Sequence, residues 1–204
     1  CTQGEAGAFA DSEAYTFNGA TSIVSFALPE GLASLTTQRW AFLCRPTGLG
    51  ELSLGTLFAY GNGPDSSEPS IFLAPNNRLA VNFYTNSSDP VAITANNEVD
   101  FLNYWAWVFV DYDNGNELGL GRRIRIFRGL AGSVRLLTLA VNNAAWGTFS
   151  PPTLALSIGN RAATYTTFAG KIDEVICSSG LWTPTADPTD LSIMEKIVNM
   201  TIPL

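Results

Sequence analysis

Apolar and polar residues alternate with a period of two along most of this chain, which is the pattern of half-buried β-strands. In the run 39–45, Trp40, Phe42 and Cys44 fall on one face and Ala41 and Leu43 on the other. Comparable runs occur at 15–19, 23–26, 56–60, 71–74, 78–84, 91–94, 123–127, 134–141, 153–158 and 171–177. No helical pattern alternates with these runs, so the sequence predicts an all-β fold of antiparallel strands.

Two segments depart from simple alternation. The run 104–111 is apolar on both faces, which is typical of a central strand in a sandwich. Near the end of the chain, Leu191, Met194, Ile197 and Val198 follow helical spacing after Asp190, a residue suited to an N-cap. We therefore expect one short C-terminal helix over 189–199.

The first residues differ in composition from the rest. Residues 1–12 are small and polar, and we predict an N-terminal arm there, followed by one domain over 13–204. An arm with so little apolar surface is expected to be ordered by contact with a neighbour. Cys1 is compatible with lipidation, a removed leader or a removed Met, and the sequence leaves these open.

Charge narrows the range of partners. The 204 residues carry a net charge of −7, which disfavours nucleic acid and anionic membranes. No apolar run reaches the roughly 18 residues needed to span a bilayer. Arg122, Arg123, Arg125 and Arg128 cluster in one strand. We interpret them as a solvent-exposed charged face, with an anion-binding patch as the alternative.

Several runs, taken in order, resemble the laminin-G-like and pentraxin-like domains of the concanavalin A-like lectin and glucanase superfamily. They are Tyr-Thr-Phe-Asn-Gly at 15–19, the strand at 40–46, the Trp-bearing strand at 104–112, the strand at 123–127, and Phe-Ala-Gly-Lys-Ile-Asp-Glu-Val-Ile at 168–176. The resemblance spans nearly the whole chain. It implies a two-sheet jelly-roll sandwich with a short C-terminal helix, but it does not fix the function.

The residues that catalysis would need are scarce. The chain has no His, which excludes His-based acid–base catalysis and His-bound zinc. Glucanases with a similar fold carry alternating acids on one strand, whereas Asp173 and Glu174 are adjacent and face opposite sides. We expect Asp173 to make a structural hydrogen bond. The sequence predicts a protein that is not an enzyme, with a glycoside hydrolase as a distant alternative.

Calcium is the cofactor to consider, because pentraxin-like domains bind it. The acidic run 111–117 lacks the spacing of a calcium loop and is interpreted as a polar hairpin. Of the two pentraxin calcium loops, the first is matched only by Asp65, and the second has no carboxylates after Gly159. The resemblance therefore implies no cofactor, or at most one Ca²⁺ near Asp65.

Binding is the remaining class of function. Tyr60, Trp146, Tyr165 and Trp182 lie near turns and are candidate aromatic platforms for a glycan, although rim or core packing is the competing interpretation. Cys44 and Cys177 are expected to be buried, either as free thiols or as a disulfide.

We hypothesise a lectin-like surface module that binds a glycan or a protein surface, located extracellularly or on a virion surface. The alternative is a structural decoration protein that packs with copies of itself or on a capsid or filament lattice.

Overall fold

The computed structural model describes residues 1–8, 12–27, 36–50, 54–60, 70–82, 91–117, 123–130, 132–142, 156–160, 166–182 and 191–201. Its strands are β1 Thr2–Ala6, β2 Glu13–Asn18, β3 Val24–Phe26, β4 Thr37–Pro46, β5 Gly55–Tyr60, β6 Ser70–Ala74, β7 Arg78–Asn82, β8 Val91–Thr94, β9 Ala106–Asp113, β10 Arg123–Leu130, β11 Ser133–Leu136, β12 Leu139–Asn142, β13 Leu156–Ile158 and β14 Ala169–Ser179. The helix is α1 Ser192–Thr201.

Within these residues the strands form two sheets of seven. Sheet 1 has the order β1-β2-β14-β4-β9-β10-β11, and sheet 2 has the order β12-β8-β7-β6-β5-β13-β3. Neighbouring strands are antiparallel throughout both sheets. The predicted all-β class, with antiparallel strands in two sheets and a short C-terminal helix, is confirmed.

The main core lies between the sheets and follows the alternation in the sequence. On β4 it contains Trp40, Phe42 and Cys44, which are fully buried. From sheet 2, Phe58 packs against Trp40 with ring centroids 4.2 Å apart. Burying each such aromatic side chain stabilises the fold by about 1.5–3 kcal/mol, so this contact joins the two sheets strongly.

A second apolar layer covers the outer face of sheet 1. Met194 and Val198 of α1 are buried there against Trp107 and Phe109 of β9. These are the positions that the helical spacing of the sequence selected. Since both faces of β9 are covered, the apolar run at 104–111 is explained, and β9 is buried along its whole length.

The run 134–141 was predicted as one strand, and this prediction is wrong. The chain leaves sheet 1 after β11 and enters sheet 2 at β12. Leu137, between the two strands, is buried in the main core, and its N–H donates to the Ile126 carbonyl at 2.8 Å. Because Leu137 is apolar and hydrogen-bonded through its backbone, the sequence around the crossing has the same pattern as one continuous strand.

The arm predicted at residues 1–12 also needs correction. Thr2–Ala6 forms β1 and pairs with β2 at the edge of sheet 1. The Asp173 carboxylate then holds the following segment, because it accepts hydrogen bonds from the Ala8 N–H at 2.6 Å and the Ser12 hydroxyl at 2.7 Å. The structural hydrogen bond expected for Asp173 is thereby confirmed. The chain's own sheet orders β1, so the argument from the arm to an assembly loses its support.

We expect Asp173→Ala to lower the free energy of unfolding by about 2–3 kcal/mol, since the change removes two hydrogen bonds to a charged acceptor. Urea unfolding at neutral pH measures the difference. The matched control is Glu174→Ala, which removes an exposed carboxylate next along the same strand and should change stability by less than about 0.5 kcal/mol. Equal losses in the two variants would contradict this role for Asp173.

Candidate functional site

The outer face of sheet 2 is the face that the helix does not cover. Its strand β7 alternates strictly: Leu79 and Val81 belong to the core, so Arg78, Ala80 and Asn82 share the outward face. A tight turn fixes this register, because Asn76 and Asn77 adopt positive φ of 62° and 52° between β6 and β7. Asn tolerates positive φ, so these two asparagines suit a hairpin turn.

The neighbouring strands add two apolar side chains to the same face. Phe72 of β6 and Ile93 of β8 lie directly opposite Ala80, one on each side. Both are half-buried, as are Arg78 and Asn82, whereas Ala80 is buried and forms the floor between them. We call these five residues, Phe72, Arg78, Ala80, Asn82 and Ile93, the outer patch.

The outer patch combines an aromatic ring with hydrogen-bonding groups. The Arg78 Nε–H donates to the Pro75 carbonyl at 2.9 Å, which holds the guanidinium at the turn between β6 and β7. Guanidinium and amide groups together can donate to and accept from hydroxyl groups, and an aromatic ring can pack against an apolar surface.

The polar character continues across sheet 2 toward β13. Ser70 pairs with Asn82, and the row continues through Ala59 to Ser157. Ser157 is fully buried, and its hydroxyl has no hydrogen-bond partner among the described residues. The outer face of sheet 2 is thus built from small and polar residues next to the aromatic ring of the patch.

The four predicted aromatic platforms do not converge on this patch. Trp182 is buried, packs edge-to-face on Phe109, and donates its indole N–H to the Trp40 carbonyl at 2.8 Å. For Trp182, the competing interpretation of core packing is therefore the correct one. Tyr60 ends β5, and its side chain is not described. Trp146 and Tyr165, like the candidate metal ligand Asp65, lie outside the described residues.

Sequence reasoning missed the outer patch because it searched near turns for Trp and Tyr. The signal was present in the run 78–82, where Leu79 and Val81 place Arg78 and Asn82 on the opposite face. Phe72 was hidden among the apolar residues of β6, since a half-buried aromatic residue in a strand cannot be told from a core residue by type alone.

The two strand cysteines are free thiols, and the disulfide alternative is wrong. In the pairing of β4 with β14, Cys44 lies opposite Ile172 whereas Cys177 lies opposite Trp40. The thiols are therefore several residues apart along the strands, beyond the Cα separation of about 7 Å that a bridge tolerates. Burial raises the pKa of both thiols, which keeps them protonated and unreactive.

Two of the four clustered arginines, Arg125 and Arg128, do not form a solvent-exposed face, and the other two side chains lie outside the described residues. Arg125 is buried, and its Nη2 donates to the Asp111 carboxylate at 2.7 Å. Arg128 is mostly buried and pairs with Asp100. Asp111 also accepts the backbone N–H of Trp182 at 2.7 Å, so this ion pair fixes the chain after β14 onto sheet 1.

Two carboxylates at the end of the run 111–117 are bound by groups of the chain itself. Asp113 accepts the Glu117 N–H at 2.9 Å, and the Glu117 carboxylate accepts the Thr37 hydroxyl at 2.5 Å. Among the residues that the structure describes, no three His, Cys, Asp or Glu side chains could jointly hold a metal ion. These contacts support the interpretation of 111–117 as a polar hairpin.

Asp173 and Glu174 do not form a carboxylate pair around one bond. A bulge in β14 places Asp173 between the residues that pair with β4, and Asp173 faces the N-terminal segment that it binds. The Glu174 side chain is largely exposed, and the part of it that is buried, together with the neighbouring Asp173, raises its pKa.

The described part of the chain contains no helix long and apolar enough to cross a membrane.

No protein-family model matches this chain, and neither does any curated protein sequence. Among solved structures, it is similar to the CBM40 of the Ruminococcus gnavus IT-sialidase bound to α2,3-sialyllactose, at 12% identity and a TM-score of 0.59 over 92% of this chain and 97% of that one. It is also similar to domain 4 of the extracellular GH43 arabinanase AbnA from Geobacillus stearothermophilus, solved with arabinotriose, at 18% identity and a TM-score of 0.52 over 91% and 79% of the two chains.

A third similar structure is that of domains LG4-5 of the mouse laminin α1 chain, at 10% identity and a TM-score of 0.55 over 82% of this chain and 41% of that one. At these identities the likeness concerns the fold. It agrees with the resemblance in the order of the strand motifs, and the chain has a two-sheet jelly-roll β-sandwich fold.

Proposed function

We propose that this protein is a non-enzymatic carbohydrate-binding module and that it holds its glycan against the outer patch of sheet 2. The observation that carries the proposal is the outer patch itself. It places the half-buried ring of Phe72 beside Arg78 and Asn82, on the face that α1 leaves uncovered.

The chemistry of the outer patch suits a sugar ring. A pyranose or furanose has an apolar face of C–H groups that can pack on Phe72, and hydroxyl groups at its edge that can bond to Arg78 and Asn82. The solved structures of similar fold that contain sialyllactose and arabinotriose support this class of ligand.

The non-enzymatic part of the proposal rests on three carboxylates that the chain's own contacts hold. Asp111 is held by Arg125, Asp173 by the N-terminal segment, and Glu98 by Arg135 at 2.6 Å. Acid–base catalysis needs a carboxyl group positioned at the reacting bond, and these groups are committed to the chain's own contacts. A glycan-binding role also suits the predicted extracellular location.

A glycan array that includes sialyllactose and arabinan oligosaccharides identifies the ligand, and calorimetric titration then locates its site. Phe72→Ala and Arg78→Ala are each expected to weaken binding about 10-fold, which corresponds to about 1.4 kcal/mol. The control is Tyr104→Ala, since Tyr104 is an exposed aromatic residue (66%) outside sheet 2 and its removal should leave binding unchanged.

Melting temperatures show that each variant is folded. Binding that survives both patch substitutions but is lost in Tyr104→Ala would contradict the assignment to the outer patch. A chain that binds none of the glycans, or that cleaves one of them, would contradict the proposed function.

A further inference from the structure

A cavity of about 460 Å³ opens between the two sheets, away from the outer patch. Its walls come from β2 and β14 of sheet 1 and from β3 and β13 of sheet 2. The side chains lining it are almost all apolar and include Tyr15, Phe17, Phe26, Ile158, Val175 and Cys177. Its volume lies within the range of about 300–1,000 Å³ typical of small-molecule sites.

We propose that this cavity binds an uncharged, mainly hydrocarbon small molecule. Besides Tyr15, two lining side chains carry an oxygen or sulfur atom, namely Asp173 and Cys177. The Asp173 Oδ2 atom already accepts two hydrogen bonds from the N-terminal segment, and a thiol is only a weak donor. A charged or hydroxyl-rich ligand would lose its water and gain few partners, whereas a hydrocarbon would gain packing contacts on every wall.

The shape of the opening supports entry of a small molecule. Strand β3 is an edge strand of sheet 2, contains three residues and, among the described residues, is paired on one side only, with β13. Phe26, at the end of β3, lines the cavity and is 49% exposed. A short edge strand opens at a lower free energy than a central one, so β3 can move aside while the rest of the core stays intact.

This site is chemically distinct from the proposed glycan site. The outer patch offers hydrogen-bonding groups around an aromatic ring, and the cavity offers hydrocarbon walls between the sheets. Either proposal can therefore fail without the other, and a variant that blocks the cavity should bind glycan as the unmodified chain does.

Photolabelling of the intact chain with 3-trifluoromethyl-3-phenyldiazirine tests the proposal, because this uncharged aryl probe inserts into whatever side chains surround it. We expect saturable labelling, with adducts mapped by mass spectrometry to peptides of β2, β3 and β14 and competed by the uncharged N-phenyl-1-naphthylamine. Labelling that does not saturate, or that maps mainly to α1 or the outer patch, would overturn the proposal.

Val175→Trp tests the same site by filling it. Val175 is half-buried in the cavity wall, and a Trp there should reduce saturable labelling at least 10-fold. Leu136→Trp adds the same ring at an exposed position of β11 and should leave labelling unchanged. A folded Val175→Trp chain that is labelled as the unmodified chain would refute the assignment. If Val175→Trp does not fold, the adduct map of the unmodified chain decides.

Discussion

Asp111→Asn is expected to lower the free energy of unfolding by about 3–5 kcal/mol, the range found when one partner of a buried ion pair is removed. Asp111 is fully buried and receives both the Arg125 guanidinium and the Trp182 N–H. The substitution leaves the Arg125 charge buried without its carboxylate. Guanidinium chloride obscures charge effects, so urea unfolding monitored by tryptophan fluorescence is the appropriate measurement.

Two comparisons separate this effect from a general sensitivity to lost carboxylates. Asp100→Asn also removes an ion-pair partner, but Asp100 is 46% exposed, and we expect a loss of no more than about 1 kcal/mol. The double variant Asp111→Leu with Arg125→Met should recover much of the lost stability, since it removes both charges together. Equal losses for Asp111→Asn and Asp100→Asn would show that burial of the first pair does not matter.

Gly159→Ala is expected to lower the free energy of unfolding by about 2–5 kcal/mol. A side chain at positive φ contributes about 1–2 kcal/mol of this loss, and overpacking contributes about 1–3 kcal/mol. Gly159 has φ of 79°, and a Cβ there would overlap the ring of Phe17. Phe17 cannot move aside easily, because it is buried and packs edge-to-face on Phe168 at 6.0 Å. The backbone is equally fixed, since the Gly159 carbonyl accepts the Phe168 N–H at 2.8 Å.

Two other glycines divide this cost into its parts. Gly180 has a similar φ of 84° but nothing within 4 Å of its Cβ position, so Gly180→Ala should show the backbone contribution alone. Gly48 likewise has nothing within 4 Å, and Gly48→Ala should change stability by less than about 0.5 kcal/mol. If Gly159→Ala lowers the free energy of unfolding no more than Gly180→Ala does, the close approach of Phe17 contributes nothing to the loss.

The fold could be predicted from the sequence where burial on one face forces alternation. Trp40, Phe42 and Cys44 are one such set, and they lie in the main core. Strand β1 could not be found this way, because its stability comes from backbone pairing at a sheet edge and from Asp173, 165 residues away from Ala8. The division of 134–141 between two sheets was missed for a related reason, since Leu137 at the crossing is as apolar as a strand residue.

The candidate site was harder to predict than the fold. Trp182 was a candidate platform because it is a tryptophan near a turn. Whether such a residue is a platform or a core residue depends on its tertiary partners, here Phe109 and Trp40. The arginines of β10 show the same limit, because Arg125 is buried only by virtue of Asp111 on the neighbouring strand. Phe72 joins the outer patch through pairing with β7, which no local pattern reports.

A crystal structure of the chain with the glycan selected by the array tests the central claim most directly. We expect the sugar ring to lie over Ala80, with its apolar face against Phe72 and its hydroxyl groups bonded to Arg78 and Asn82, and the glycan to be intact. A sugar bound instead beside Tyr104, in the inter-sheet cavity or on the outer face of sheet 1, or a glycan cleaved in the crystal, would contradict the account.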